Sequence, residues 1–314
     1  MKVDKLVEYL ESSFLKDILV NDSITDISYN GKDIFYMSND LGRRHSDICL
    51  SKEDAKDFVR QIANLSEKSF SYQNPFLDVS FNKYRFNATH DSVSKVANIG
   101  AVNFSIRIAS NIKKPEYITK DLLELLTNII IQRRSIIISG KTGCGKTQLQ
   151  KYLISLIEPN TRVIVIDNVE ELTNCQYSDS LDFNFWCADE TQIEKRADKL
   201  IRNALRCNPD WLILAEARGS EMVDILTSAM TGHPIITTIH SYNNLSTPHR
   251  IARMIQMSRN EEKLENILND VFQHIQVFIH LSIKKSKEKI VRYIDQIMEF
   301  DNKGKETVLY EAKI

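Results

Sequence analysis

The feature that most constrains this chain is a glycine-rich stretch at residues 140–147, with the sequence Gly-Lys-Thr-Gly-Cys-Gly-Lys-Thr. It matches in full the pattern of a Gly, four variable residues, and then Gly, Lys and Ser or Thr, in which backbone N–H groups surround phosphate groups. An apolar run at residues 135–139 precedes it, and Leu149, Leu153 and Leu156 follow it at helical spacing. A buried strand entering the loop and a helix leaving it form the context that phosphate binding requires. The stretch therefore predicts a nucleotide-binding loop.

Within and just after this loop we assign nucleotide contacts to nine consecutive residues. They are Gly140, Lys141, Thr142, Gly143, Cys144, Gly145, Lys146, Thr147 and Gln148. The glycines allow successive N–H groups to turn toward one anion without a clash from a Cβ atom. Lys146 supplies a positive charge to the β and γ phosphates, and the hydroxyl of Thr147 ligates Mg²⁺. We therefore expect ATP and Mg²⁺ as cofactors.

Polar side chains end three later apolar runs. Asp167 follows the run at residues 163–166, Glu216 follows 211–215, and His240 follows 235–239. Ligands of open parallel sheets bind at the carboxyl ends of the strands, so these side chains are placed to act on bound nucleotide. We assign Asp167 and Glu216 to catalysis and Glu216, with Thr147, to the metal. His240 is positioned to sense the γ-phosphate.

The pattern of the chain changes near residue 115, which predicts an α/β protein of two domains, 1–114 and 115–314. Short alternating segments at 24–30, 33–37, 76–81, 84–89 and 101–108, with helices at 3–10 and about 52–65, indicate an α+β domain. The second domain alternates strands and helices, which favours a mostly parallel sheet covered by helices. We predict one continuous helix at 190–206 and a closing antiparallel meander at 276–284, 289–300 and 306–312.

Composition excludes several classes of protein. The formal net charge is −1, without the basic excess of a dedicated nucleic-acid-binding protein, so we expect no direct binding of nucleic acid. No run of about 18 apolar residues predicts a membrane span, and no apolar signal core follows Met1. The five cysteines include no Cys-x-x-Cys pair, which argues against a zinc site or disulfide framework and favours a reduced, cytoplasmic setting.

Four ordered motifs resemble those of the secretion ATPases of type IV secretion, conjugation, type II secretion and type IV pili. The first is the phosphate loop. The second is an acidic box at residues 166–172, Ile-Asp-Asn-Val-Glu-Glu-Leu, in which Glu170 and Glu171 are further candidates. The third is a metal strand at 208–219 that ends in Glu216, and the fourth is a histidine box from 231–233 to 238–241. The compact first domain, without a four-cysteine insert, is most similar to the type IV secretion and conjugation branch.

The resemblance implies a RecA-like ATPase domain after the first domain, and a hexameric ring with ATP between the two domains. Arg85 and Arg107 then close onto the phosphates, and Arg218 and Arg206 match family positions near the metal strand. Such rings act at the cytoplasmic face of the cell membrane, through membrane-embedded secretion or pilus components.

The chain departs from the family pattern at two places. The acidic box usually begins Glu-Asp, whereas here it begins Asp167-Asn168, and Ala215 stands where glycine is commoner. A displacement of a catalytic group by about 1 Å can cost about 10²-fold in rate, so turnover is expected to be slow. The departure at Asp167-Asn168 motivates one alternative to a secretion motor, a nucleotide-gated scaffold with weak hydrolysis. A pilus assembly or retraction ATPase also stays open, and so does a DNA translocase, which the flat charge balance argues against.

Overall fold

The computed structural model describes residues 2–39, 41–109, 112–168, 171–172, 175, 177–258, 263–285 and 290–313. By backbone packing the chain divides into two compact units. Unit 1 comprises Met1–Ser110 and Lys285–Val291, and unit 2 comprises Asn111–Lys284 and Arg292–Ile314. The chain thus leaves unit 2 and re-enters it near its end. The boundary between residues 114 and 115 stays a proposal.

The described residues of unit 1 form three helices and antiparallel strand pairs. The helices are α1 (Lys2–Glu11), α2 (Lys16–Leu19) and α3 (Lys52–Leu65). The strands are β1 (Ile24–Tyr29), β2 (Ile34–Ser38), β3 (Gly42–His45), β4 (Phe76–Phe81), β5 (Tyr84–Thr89), β6 (Lys95–Val96), β7 (Ile99–Gly100) and β8 (Asn103–Ile108). Six of them form one sheet in the order β3-β2-β1-β8-β5-β4, and β6 pairs with β7.

The local sequence explains why these elements form. The side chain of Ser51 caps α3 by accepting a hydrogen bond from the N–H of Asp54. The inward face of α3 then buries Phe58, which packs against the rings of Phe86 and Phe104 from β5 and β8. On these strands apolar and polar residues alternate, so the opposite face of the sheet is left exposed and polar.

Unit 2 contains a sheet of eight strands. They are β9 (Ile136–Gly140), β10 (Arg162–Asp167), β11 (Asp182–Cys187), β12 (Trp211–Leu214), β13 (Ile235–Ile239), β14 (Val277–Lys285), β15 (Ile290–Phe300) and β16 (Glu306–Glu311). Their order is β11-β10-β12-β13-β9-β14-β15-β16. The pairs from β11 through β14 are parallel, and β15 pairs with β16 antiparallel. The three predicted closing strands therefore join this sheet. The antiparallel pairing of β15 with β16 agrees with the predicted meander, whereas β14 lies parallel to β9.

Helices cover both faces of this sheet. They are α4 (Lys120–Ile131), α5 (Lys146–Ile154), α6 (Ala197–Ala204), α7 (Met222–Met230), α8 (Ser246–Ser258) and α9 (Leu264–His274). Buried residues of α4 and α5 share one hydrophobic core, while those of α6 to α9 share the other. The parallel strands between these cores are apolar on both faces, as expected for a sheet covered twice.

The prediction of one helix over residues 190–206 was wrong. The structure has a short 3₁₀ turn at Ile193–Lys195, the α-helix α6, and a second 3₁₀ turn at Leu205–Cys207. Arg196 interrupts the helix because its backbone is extended, with φ −63° and ψ 147°. The carboxylate of Glu190 then accepts a hydrogen bond from the N–H of Ala197, which satisfies one donor of the new helix start. Strand β11 was not predicted.

None of the described helices is both long enough and apolar enough to cross a membrane.

Candidate nucleotide-binding site

The phosphate loop connects β9 to α5 in the conformation that its glycines predict. Gly140, Gly143 and Gly145 all have positive φ, at 148°, 79° and 98°. A Cβ atom on Gly140 would lie 2.5 Å from the carbonyl oxygen of Leu281, whereas one on Gly143 would meet no atom within 4 Å. The loop is therefore packed tightly at its first glycine and open at its middle one. Gly145 is the N-cap of α5, so the positive end of that helix faces the loop.

Lys146 is folded over the loop, with its side chain almost fully buried. Its ammonium group donates hydrogen bonds to the carbonyl oxygens of Gly140 (3.1 Å) and Lys141 (3.3 Å). It also lies 3.3 Å from Nδ1 of His240. Burial lowers the pKa of Lys146, and the neighbouring Cys144 and Glu216 partly oppose that effect. The loop carbonyls and His240 thus hold a buried cation that is available to an anion.

From Lys146 a continuous chain of polar contacts leads to the end of β12. Nε2 of His240 lies 2.9 Å from Oε1 of Glu216, and Oε2 of Glu216 accepts a 2.8 Å hydrogen bond from Arg218. Burial of Glu216 favours its protonated form. The hydrogen bond and charge of Arg218, with the charges of His240 and Lys146, outweigh burial and lower the pKa of Glu216. Glu216 is therefore ionised at neutral pH and is held from both sides.

These side chains border a cavity of about 270 Å³ in unit 2. It is lined by Glu216, Ala217, Arg218, Ile239, His240 and Arg250. Arg250 lies on α8, and sequence reasoning did not select it. The lining contains two guanidinium groups and one carboxylate, which gives the cavity an excess of positive charge suited to an oxyanion.

Asp167 stands at the carboxyl end of β10, on the strand beside β12, as its position in the sequence predicts. Its side chain is fully buried, and its Oδ2 accepts a 2.7 Å hydrogen bond from the N–H of Leu172. The carboxylate therefore fixes the turn of the acidic box. Glu170 lies outside the described residues. The catalytic role of Asp167 stays a prediction.

Arg85 and Arg107 lie side by side within unit 1. They are directly opposite each other in the β5–β8 register, so their side chains share one face of the sheet. Each has a carboxylate partner: Arg85 binds Asp78 through two contacts of 3.0 and 3.4 Å, and Arg107 lies 3.3 Å from Asp26. Two adjacent arginines on an exposed face suit an anion, and their closure onto phosphate stays a prediction.

The remaining loop residues have separate surroundings. The ammonium group of Lys141 lies 5.7 Å from the ring centroid of Tyr242, and the amide of Gln148 donates a 3.2 Å hydrogen bond to the carbonyl of Lys113. Cys144 is fully buried, and burial raises the pKa of its thiol. Thr142 is exposed, and Thr147 lies in the first turn of α5.

Two further residues contact the loop region, and no motif pointed to either of them. Nε of Arg292 on β15 donates a 2.9 Å hydrogen bond to the carbonyl of Gly143. Nδ1 of the buried His280 on β14 lies 2.8 Å from Oγ of Ser139, the residue before Gly140. Burial lowers the pKa of His280, so it is neutral at pH 7. The pairing of β14 with β9, with β15 next in the sheet, brings these strands to the loop, and that pairing joins residues far apart in the sequence.

The donor set can be tested against Mg²⁺. Within the described residues no three His, Cys, Asp or Glu side chains form a cage for a metal ion. Mg²⁺ commonly binds through one or two protein oxygens together with phosphate oxygens and water. The hydroxyl of Thr147 and the ionised carboxylate of Glu216 are oxygen donors of that kind, so these residues fit a nucleotide-bound Mg²⁺ rather than a metal held by protein alone.

Comparisons with known proteins agree with this geometry. The family model described as Type II/IV secretion system protein matches residues 101–307. An uncharacterized protein of Bacillus anthracis is 26% identical over 336 residues, which cover 99% of this chain and 74% of that protein. The type IV secretion system protein VirB11 of Bartonella quintana is 27% identical over 232 residues, which cover 71% of this chain and 62% of that protein.

Among solved structures, the Legionella pneumophila ATPase DotB has a TM-score of 0.70 at 20% sequence identity. The match covers 96% of this chain and 81% of that one. At this identity the likeness concerns the fold of both units.

Proposed function

This chain belongs to the type II/IV secretion system protein family, and we propose that it hydrolyses ATP to power type IV secretion or conjugative transfer. The observation that carries the proposal is the polar chain from Lys146 through His240 to Glu216. It joins the phosphate loop to an ionised carboxylate at the end of a neighbouring strand. A phosphate-binding cation and a carboxylate that orients water are two of the groups that hydrolysis of a phosphoanhydride uses.

The residues of the chain have distinct tasks in this reaction. The N–H groups of the loop and the ammonium of Lys146 bind the phosphates, and Glu216 orients the attacking water and holds its proton. His240 contacts both Lys146 and Glu216, so a change at the terminal phosphate reaches the carboxylate directly. Mg²⁺, held through Thr147 and Glu216, would neutralise charge that develops on the phosphates.

The oligomeric state and the partners form the second part of the proposal. Six copies form a ring at the cytoplasmic face of the cell membrane, where membrane-embedded secretion components hold it. Arg85 and Arg107 supply positive charge to the phosphates as the ring changes shape. The adjacency of these two side chains on one exposed sheet face supports that task.

A nucleotide-gated scaffold is the competing function, and one observation favours it. The carboxylate of Asp167 is buried and bonded to the backbone of its own turn, and the next residue is Asn168 rather than a second acid. If the acidic box only maintains the loop, ATP could set the shape of the ring with little turnover.

The two functions separate in one experiment on the purified full chain. We expect wild type to release phosphate from ATP, Lys146→Ala to lose nucleotide binding and phosphate release, and Glu216→Gln to retain bound ATP without turnover. Arg253→Ala, an exposed arginine on α8, is the control and should match wild type. A wild-type protein that binds ATP but releases no phosphate, even when assembled with its partners, would refute the motor and support the scaffold.

A further inference from the structure

The outer side of the phosphate loop is held by the two strands that follow β9 in the sheet. The carbonyl oxygen of Leu281 on β14 lies against Gly140, and Arg292 on β15 reaches the middle of the loop. Besides the hydrogen bond from its Nε to Gly143, its Cδ would lie 3.4 Å from a Cβ atom on Gly145. The Arg292 side chain therefore lies along the loop from Gly143 to Gly145.

The contact with Gly143 fixes one peptide unit of the loop. In a planar trans peptide the C=O and the following N–H point in opposite directions. A donor that holds the Gly143 carbonyl on one side consequently turns the N–H of Cys144 toward the other side. That N–H now makes a long hydrogen bond of 3.3 Å to the carbonyl of Lys141, which also accepts from Lys146. The N–H is thus directed into the loop, where phosphate binding requires donors.

Glycine makes this peptide unit mobile unless something holds it. Gly143 and Gly145 flank Cys144, and both adopt positive φ. Glycine populates left-handed and right-handed backbone regions almost equally, so both ends of the segment can rotate. The guanidinium of Arg292 is the group that restrains it from outside. Its charge also reaches the surroundings of the loop, since burial raises the pKa values of Cys144 and Tyr117 and Arg292 partly opposes that rise.

We propose that Arg292 is a positioning residue of the phosphate loop, which orients the Gly143–Cys144 peptide for the phosphates of nucleoside di- and triphosphates alike. The inference rests on one part of the proposed function, that the loop binds nucleotide. Arg292 acts through the backbone carbonyl rather than on the terminal phosphate. Substitution of Arg292 should therefore weaken the binding of ADP and of ATP by the same factor.

The test measures the Kd of fluorescent ADP and ATP analogues for the full chain, with and without substitution of Arg292. We expect Arg292→Ala to weaken both about tenfold, because a partly exposed hydrogen bond from a charged donor is lost. Arg292→Lys keeps a cationic donor and should return both affinities to within about threefold of wild type. Arg253→Ala removes the same charge from an exposed site of the same unit and should change neither.

Three results would overturn the inference. Weaker binding of ATP with unchanged binding of ADP would place Arg292 at the terminal phosphate. A lower Tm with unchanged Kd for both nucleotides would make it a purely structural residue. Equal affinities of wild type and Arg292→Ala, at equal Tm, would show that the loop needs no such restraint. A wild-type chain that binds neither nucleotide would refute the proposed function itself. That result differs from the three above, in which the wild type still binds nucleotide.

Discussion

Two alanine substitutions in the phosphate loop should separate stability from nucleotide binding. In Gly140→Ala the new Cβ would lie 2.5 Å from the carbonyl oxygen of Leu281 and 2.6 Å from Sγ of Cys144. In Gly143→Ala the new Cβ would meet nothing within 4 Å. Both positions have positive φ, so backbone strain is common to the two, and of the two only Gly140 adds a clash, with strand β14 and with Cys144 of its own loop.

The expected magnitudes follow from these surroundings. Gly143→Ala bears the strain of a left-handed backbone, about 1–2 kcal/mol. Gly140 has φ 148°, a region almost reserved for glycine, where another residue costs about 1–3 kcal/mol. Overpacking against a buried carbonyl adds about 1–3 kcal/mol. We therefore expect Gly140→Ala to lower the free energy of unfolding of unit 2 by about 2 kcal/mol more than Gly143→Ala, or about 4–8 °C more in Tm.

Nucleotide binding should show the reverse order. The open space at Gly143 is where the proposed phosphate chain lies, so a methyl group there should weaken ADP binding while lowering Tm less than Gly140→Ala does. Thermal unfolding followed by circular dichroism gives the Tm values, and titration with a fluorescent ADP analogue well below Tm gives the affinities. Equal Tm for the two variants would refute the packing argument, and normal ADP binding by Gly143→Ala would refute the phosphate site at that position.

Three further predictions concern single side chains in the two units. Arg107→Ala should lower ATP turnover with little change in Tm, because its pair with Asp26 is exposed and such pairs contribute about 0.2–1 kcal/mol; wild-type turnover at equal Tm would contradict its role. Arg250→Ala should lower ATP turnover while leaving ADP affinity unchanged, since Arg250 lines the cavity at Glu216 and not the loop. Steady-state kinetics and an ADP titration check this, and weakened ADP binding would contradict it. The third is a pH effect. Burial lowers the pKa of His280, so the unfolded chain binds its proton more readily and stability falls as pH drops below about 6.5 toward the folded pKa. Wild-type Tm should therefore fall more steeply from about pH 7 to 5 than that of His280→Asn, and parallel slopes would exclude the effect.

Conformations and positions that depend on local sequence were predicted well. The loop glycines take positive φ because phosphate-binding backbone requires it, and Glu216 and His240 meet because parallel strands end at one sheet edge. Helix α3 begins after Ser51, as its capping side chain indicates. Local sequence together with the alternation of strands and helices therefore predicted where these groups lie.

Features that depend on distant pairing were missed. Arg292 and Gly143 are 149 residues apart in the sequence. Arg292 reaches the loop because β14 lies between β9 and β15 in the sheet. Strand β11 carries the alternating aromatics Phe183 and Phe185, a strand signal, but it was hidden among polar residues of an exposed sheet edge.

The wrong helix prediction has a different cause. Apolar periodicity continues from Ile193 into α6, but Ile193 is 69% exposed and belongs to no core. The apolar spacing at Ile193 therefore does not indicate a buried helix face. The extended backbone of Arg196 ends the preceding turn, and the carboxylate of Glu190 accepts a hydrogen bond from the first turn of α6.

The assignment of Lys285–Val291 to unit 1 has a consequence for how the protein can be taken apart. Cutting the chain after Ser110 does not yield two self-contained fragments, because a C-terminal piece would carry away a segment whose packing neighbours stay behind, such as Gly42 against Ile290. The same strand, β15, continues directly into Arg292. A fragment that contains only the ATPase unit would therefore have a disturbed β15, the strand that supports its phosphate loop. The two units are best expressed together as one chain.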